Sequence, residues 1–87
     1  MSSVDDLRAA LEQLAEDTEA QSQTLSTSNQ GLEDNKSALN DQLDSSQTGR
    51  DVTEAFDSAI SAVEDAIGKL TEAADKAKEY AEKLISN

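Results

Sequence analysis

Apolar residues recur at alternating steps of three and four through the second half of the chain, between Val52 and Ile85. The predicted heptad a and d positions are Ile60, Val63, Ile67, Leu70, Ala74, Ala77, Ala81 and Leu84, with Phe56 one step upstream. Residues at the flanking g positions widen this apolar face: Ala59, Ala66, Ala73 and Tyr80. The spacing predicts one long amphipathic helix over about 51–85, and its apolar face must be covered by another helix.

The first half of the chain carries a second heptad pattern without a slip of phase. Its predicted a positions are Val4, Leu11, Thr18, Leu25, Leu32 and Leu39, and its predicted d positions are Leu7, Leu14, Gln21, Ser28, Asn35 and Gln42. We therefore expect a helix over about 4–45. Residues 26–31 form a run of poor helix formers, so a break into helix, loop and helix stays open beside one continuous helix.

The last four of those predicted d positions are polar, which is unusual for a helix interface. A buried polar residue in a coiled coil lowers stability but fixes register and partner number. The other interpretation is that this side of the helix is exposed to solvent. The sequence does not choose between the two.

Residues 46–50 form the clearest interruption between the two patterns. Gly49 is predicted to end the first helix in the left-handed conformation, and Asp51 with Glu54 to cap the start of the second. So short a connection places the helices side by side and antiparallel. We predict an all-α fold, a single helical-hairpin domain over residues 1–87, and pairing of two hairpins into a four-helix bundle because each helix has only one neighbour within the chain.

Composition limits what such a chain can do. Only 36% of residues are hydrophobic and the net charge is −12, a combination typical of disordered chains. The heptad order instead favours a chain that has low stability as a monomer and becomes ordered when its helices associate with a partner. An acidic surface argues against nucleic acid and against anionic membranes as partners. The N-terminus has no apolar run, so we expect no signal peptide and a cytoplasmic protein, with leaderless export left open.

Chemistry for catalysis is sparse. Cysteine and histidine are absent, so the commonest metal ligands and the usual general base are missing. Lys69, Lys76 and Lys83 each follow an acidic residue by four positions, which predicts a solvated, self-paired helix face. We expect no enzyme activity, no cofactor and no metal site.

The expected function is therefore protein binding through apolar helix faces, with a second copy or another helical protein as the partner. The predicted interface residues are Leu11, Leu14, Leu25, Leu32, Leu39, Phe56, Ile60, Val63, Ile67, Leu70, Ala74, Ala77, Tyr80, Ala81 and Leu84.

The pattern of two heptad helices around a central glycine resembles the Trp-x-Gly small proteins associated with type VII secretion. Gln47-Thr48-Gly49 stands at the Trp-x-Gly position and keeps only the glycine. Leu84 stands four residues after Tyr80, where that family's export signal has an acidic residue. The opening Ser2–Leu11 and the late Tyr80-Ala81 are also similar to small helical proteins of actinobacteria. The resemblance implies a helical hairpin that pairs into a four-helix bundle. We accordingly expect a protein that self-associates or acts as the chaperone or docking partner of a larger protein, such as a toxin or a type VII secretion substrate.

Two other interpretations of the acidity stay open. One is a partly disordered inhibitor or mimic that folds on a basic partner. The other is adaptation to a high-salt environment, in which case the charge says nothing about partners.

Overall fold

The computed structural model describes residues 3–40, 42 and 46–86, and these form two helices packed against each other as an antiparallel hairpin. Helix α1 spans Ser3–Asn40 and helix α2 spans Gln47–Ser86. The predicted all-α hairpin is confirmed. The predicted extension of the first helix over 41 and 43–45 lies outside the described residues.

Helix α1 passes through residues 26–31 without interruption, so the alternative with a loop there is not the one that forms. The poor helix formers of this run are held by neighbours that pack against α2. Leu25 and Leu32 are half-buried on either side of the run, and Asn29 within it is buried. Tertiary packing of one face outweighs intrinsic propensity here, as it does in most protein helices.

The predicted turn at 46–50 is wrong in its detail, because α2 begins at Gln47 and includes Gly49. Gly49 has no positive φ and is buried in the first turn of α2. The N-cap is Ser46 and not Asp51. Its Oγ accepts a hydrogen bond from the Gly49 N–H at 3.1 Å, and its carbonyl oxygen accepts one from the Arg50 N–H at 3.0 Å. A serine before the first helical residue accepts hydrogen bonds from N–H groups that would otherwise be unpaired. Capping by Ser46 therefore starts α2 earlier than capping by Asp51 and Glu54 would.

Ser46→Ala is expected to lower the free energy of unfolding by about 1 kcal/mol, because it removes this cap. For a chain of this size that lowers Tm by roughly 4–8 °C. Thermal melts followed by circular dichroism measure the change. Ser58→Ala, at an exposed position inside α2, is the matched control and is expected to keep or slightly raise Tm. Equal melting of the two variants would contradict the cap assignment.

Packing divides the hairpin into two compact units. Unit 1 combines Met1–Gln23 with Gly68–Asn87, and unit 2 is Thr24–Ile67. The core of unit 1 is built from small side chains: Ala15, Ala74 and Ala77 are buried together, and Leu11 packs against them. In unit 2 the buried apolar side chain is Ile60. The buried apolar residues among the described ones are thus four alanines and a single isoleucine, so the hairpin buries little apolar surface by itself.

Candidate functional site

The predicted apolar face of α2 lies where the heptad pattern placed it. Its a and d residues from Ile60 to Leu84, and Phe56 before them, are all buried or half-buried. Tyr80, at a flanking position, is 50% exposed. Most of the predicted interface residues of α2 are therefore already used within the hairpin, and Tyr80 is the one that faces solvent.

From Leu11 onward the predicted a positions of α1 also face inward, whereas the first of them, Val4, is exposed, and the predicted d positions do not face inward. Leu11, Leu25, Leu32 and Leu39 are half-buried. The second inward set lies four residues after the a positions and not three: Arg8, Ala15, Ser22, Asn29 and Lys36 are buried or half-buried. Leu7 and Leu14 are 40% and 55% exposed, and Gln21, Ser28, Asn35 and Gln42 are exposed as well. Of the two interpretations of those polar residues, exposure is the one that the structure shows.

This arrangement gives the hairpin two distinct flanks, and helix geometry says which residues share each flank. The residue just before an inward-facing one lies about 100° to one side of it on the helix surface, and the residue just after lies to the other side. Because the helices are antiparallel, the residues that precede inward positions on both helices point to the same side of the pair. The residues that follow inward positions share the opposite side.

In unit 1 the preceding positions include an exposed apolar set, while Asp17, Gln21, Lys69, Lys76 and Lys83 occupy other preceding positions. Leu7 and Leu14 on α1 precede Arg8 and Ala15, and Ala73 and Tyr80 on α2 precede Ala74 and Ala81. All four are exposed. We call this set the apolar flank of unit 1. Val4, 45% exposed at the start of α1, lies one turn from Leu7 and extends it.

The opposite side of unit 1 is charged, which supports the assignment of the flanks. Glu19 follows the inward Thr18, Lys78 follows the inward Ala77, and the two side chains form an ion pair across the helices. The hydrogen bond from Lys78 to the Glu19 carboxylate, followed by their charge attraction, raises the pKa of Lys78 above its ordinary value of 10.5. Both side chains are about half exposed, so the pair aligns the helices more than it stabilises them.

Unit 2 repeats the contrast between its two sides. On the polar side a cleft of about 490 Å³ is lined by Glu33, Lys36, Ser37, Asn40, Asp57, Ile60 and Ser61, with an ion pair between Lys36 and Asp57 inside it. On the other side a shallow apolar hollow of about 180 Å³ is lined by Leu32, Ala55, Phe56 and Ala59. Each unit, taken by itself, thus presents one polar side and one side on which apolar residues are exposed.

Asn29 is the exception to the small or apolar character of the interior. Its side chain is only 7% exposed, and its Oδ1 has no hydrogen-bond partner among the described residues. A buried carbonyl oxygen without a donor costs roughly 1–3 kcal/mol relative to its hydrated state. The heptad pattern of α1 did not point to Asn29, because it placed the neighbouring Ser28 at the d position.

The predicted self-pairing of the lysine stripe does not occur among the described residues. The ion pairs between described residues include Arg8–Glu12, at 3.9 Å, Lys36–Asp57 and Lys78–Glu19, and none of these three pairs involves Lys69, Lys76 or Lys83. These three lysines lie three or four residues from Ala73 or Tyr80, so they border the apolar flank on α2. Their ammonium groups are exposed beside an apolar surface.

Two further searches of the described part of the chain bear on function. No helix there has an apolar stretch long enough to cross a membrane. Across residues 3–40, 42 and 46–86, no three carboxylates come together as a set that could hold a metal ion.

Comparisons with known proteins leave the site to be interpreted from its own geometry. No family model, no curated protein and no solved structure matches this chain.

Proposed function

We propose that this protein is a non-enzymatic helical interaction module that binds another protein through the apolar flank of unit 1. The observation that carries the proposal is the exposure of Leu7, Leu14 and Tyr80 on one side of unit 1. Few other large apolar side chains of the described residues are exposed. Solvent-exposed apolar patches with polar borders are typical of protein-binding surfaces. Tyrosine is also among the residues enriched at the energetic centres of interfaces.

The mode of binding that fits this surface is helix packing. Leu7 and Leu14 are separated by two helical turns, and Ala73 and Tyr80 are separated by the same distance on α2. An amphipathic helix laid along the hairpin can contact both rows with side chains at three- and four-residue spacing. The exposed Ala10, between Leu7 and Leu14 on the outer side, allows such a helix to approach closely.

Site-specific photo-crosslinking in cells that express the protein tests the proposal. A benzophenone side chain at Leu14 or at Tyr80 is expected to give crosslinked protein bands, because both positions lie inside the proposed contact. The matched control is the same group at Ala9, an exposed position of α1 that follows the inward Arg8 and so lies away from the apolar flank. Crosslinks of equal yield at Ala9 and Leu14, or none at either flank position, would contradict the assignment of this flank as the binding surface.

A further inference from the structure

We infer that the occupant of the apolar flank is an amphipathic helix of another protein, with carboxylates recurring about every seven residues along the edge that lies over α2. This inference rests on the function proposed above and adds the chemistry of the partner. It is argued from the charges beside the flank, which are opposite in sign to those on the rest of unit 1.

Ten exposed residues of unit 1 lie immediately before an inward position and so share the side that carries the apolar flank. The charged residues among them are Lys69, Lys76, Lys83 and Asp17, which give this side a net charge of +2. The opposite side has six carboxylates and one lysine, a net charge of −5: Asp5, Glu12, Glu16, Glu19, Asp75, Glu82 and Lys78. The apolar flank therefore lies on the positively charged side of a unit that is acidic elsewhere.

Three carboxylates of unit 1 belong to neither side: Asp6 on α1, and Glu72 and Glu79 on α2. Each is two residues from an inward position, which is about 200° around the helix, so each points away from the other helix. Glu72 and Glu79 lie one turn before Lys76 and Lys83 and lower the positive potential at their outer edge. Because they are placed symmetrically between the two sides, the difference in charge between those sides remains.

The three lysines form one row with a repeat of seven residues. The row spans 14 residues, or about 21 Å of helix, and lies next to the row of Ala73 and Tyr80. A partner helix with its own heptad repeat meets each lysine at the same position of that repeat. Carboxylates at this position pair with the lysines at the border of the apolar contact, as charged residues do beside the seam of a coiled coil.

Other classes of partner fit this side less well. A basic helix is repelled by the lysine row and is attracted to the opposite, acidic side. Nucleic acid requires the neutralisation of many phosphates, and this side has three lysines. An anionic membrane surface repels a chain with a net charge of −12.

Two synthetic amphipathic helices, each three heptads long, test the inference. They have identical apolar rows and differ at one edge position per heptad, which is glutamate in the first peptide and glutamine in the second. In fluorescence anisotropy with the full chain at low salt, the glutamate peptide is expected to bind about tenfold more tightly, because it gains three ion pairs. The advantage is expected to disappear at about 1 M salt, where charges are screened within about 3 Å. General repulsion by the acidic chain predicts the reverse order.

Lysine neutralisation locates the effect. Lys76→Gln with Lys83→Gln is expected to reduce the tenfold preference to about twofold, because one of three ion pairs remains. The matched control is Ala9→Glu with Ala20→Glu, which changes the net charge by the same two units at exposed positions of unit 1 outside the flank. The control is expected to keep the preference for the glutamate peptide. Circular dichroism of both variants checks that they fold.

A glutamate peptide that binds no more tightly than the glutamine peptide would overturn the inference, and so would an equal loss of preference in the two variants. Binding to phosphatidylserine vesicles but to neither peptide would replace the helix by a membrane surface. Crosslinks at Leu14 between two copies of this chain would identify a different occupant. If the edge charge has no effect, crosslinks at Leu14 to another protein would still support the proposed function, whereas the absence of flank crosslinks would remove both.

Discussion

Ala15→Glu is expected to unfold the protein. Ala15 is 1% exposed and lies between α1 and α2 against Ala74 and Ala77, at a contact that small side chains make close. A glutamate there either forces the helices apart or buries a carboxylate among alanines, and both are costly. Substitutions that bury an unpaired charge are among the few that cost more than about 4 kcal/mol. That is a large part of the roughly 5–15 kcal/mol by which ordinary domains are stable.

Far-ultraviolet circular dichroism and urea titration measure this loss directly. The matched control is Ala20→Glu, which makes the same chemical change at an exposed position of α1 in the same unit. The control is expected to change the free energy of unfolding by less than about 0.5 kcal/mol. If Ala15→Glu retained full helicity and the same urea midpoint as Ala20→Glu, the alanine contact would not be the core of unit 1.

The same contact explains where sequence reasoning succeeded and where it did not. On α2, residues such as Ile60, Ile67 and Leu70 allow only one inward phase, so the buried face could be predicted residue by residue. On α1 a leucine recurs only about once in seven residues, and the second inward position can lie three or four residues further on. The large Leu14 favoured the first choice, whereas the structure buries the small Ala15, which can approach the alanines of α2 closely.

A signal for the correct phase was present in the sequence. An alanine-rich face on one helix calls for small residues opposite, and Ala15 and Ser22 are small while Leu7 and Leu14 are not. The choice of phase also decides which residues are free to bind a partner. Leu14 was predicted as an interface residue at a d position, but its exposure on the hairpin was visible only once α2 had been placed beside α1.

The start of α2 could not be predicted from the sequence for a different reason. Both Ser46 and Asp51 are good N-cap residues, and the sequence offers a glutamate three residues after Asp51 but a glycine three residues after Ser46. Capping-box spacing therefore favoured Asp51. The structure uses Ser46, and Gly49 then takes helical geometry inside the first turn, where Thr53 Oγ1 donates a hydrogen bond to its carbonyl oxygen at 3.2 Å. A glycine between two helical patterns does not by itself determine whether the second helix begins before or after it.

Asn29→Leu is expected to stabilise the hairpin by about 1–3 kcal/mol. The substitution replaces a buried amide, whose Oδ1 has no donor among the described residues, by an apolar side chain of similar size. It removes the penalty of the unpaired oxygen and adds buried apolar surface. A gain of this size corresponds to a rise in Tm of at least about 4 °C. Thermal and urea unfolding by circular dichroism measure the gain.

Asn35→Leu supplies the comparison, because it makes the same substitution at an exposed position of the same helix and gives the same increase in helix propensity. The difference between the two variants isolates the effect of burial, and equal gains would mean that the Asn29 amide costs nothing in the folded protein. A buried asparagine in a helix interface can lower stability while restricting register and partner number. If Asn29 acts in this way, Asn29→Leu is expected to show a broader distribution of oligomers in light scattering than the wild type, and Asn35→Leu is not. A more stable variant with an unchanged oligomer distribution would show that Asn29 lowers stability without selecting the assembly.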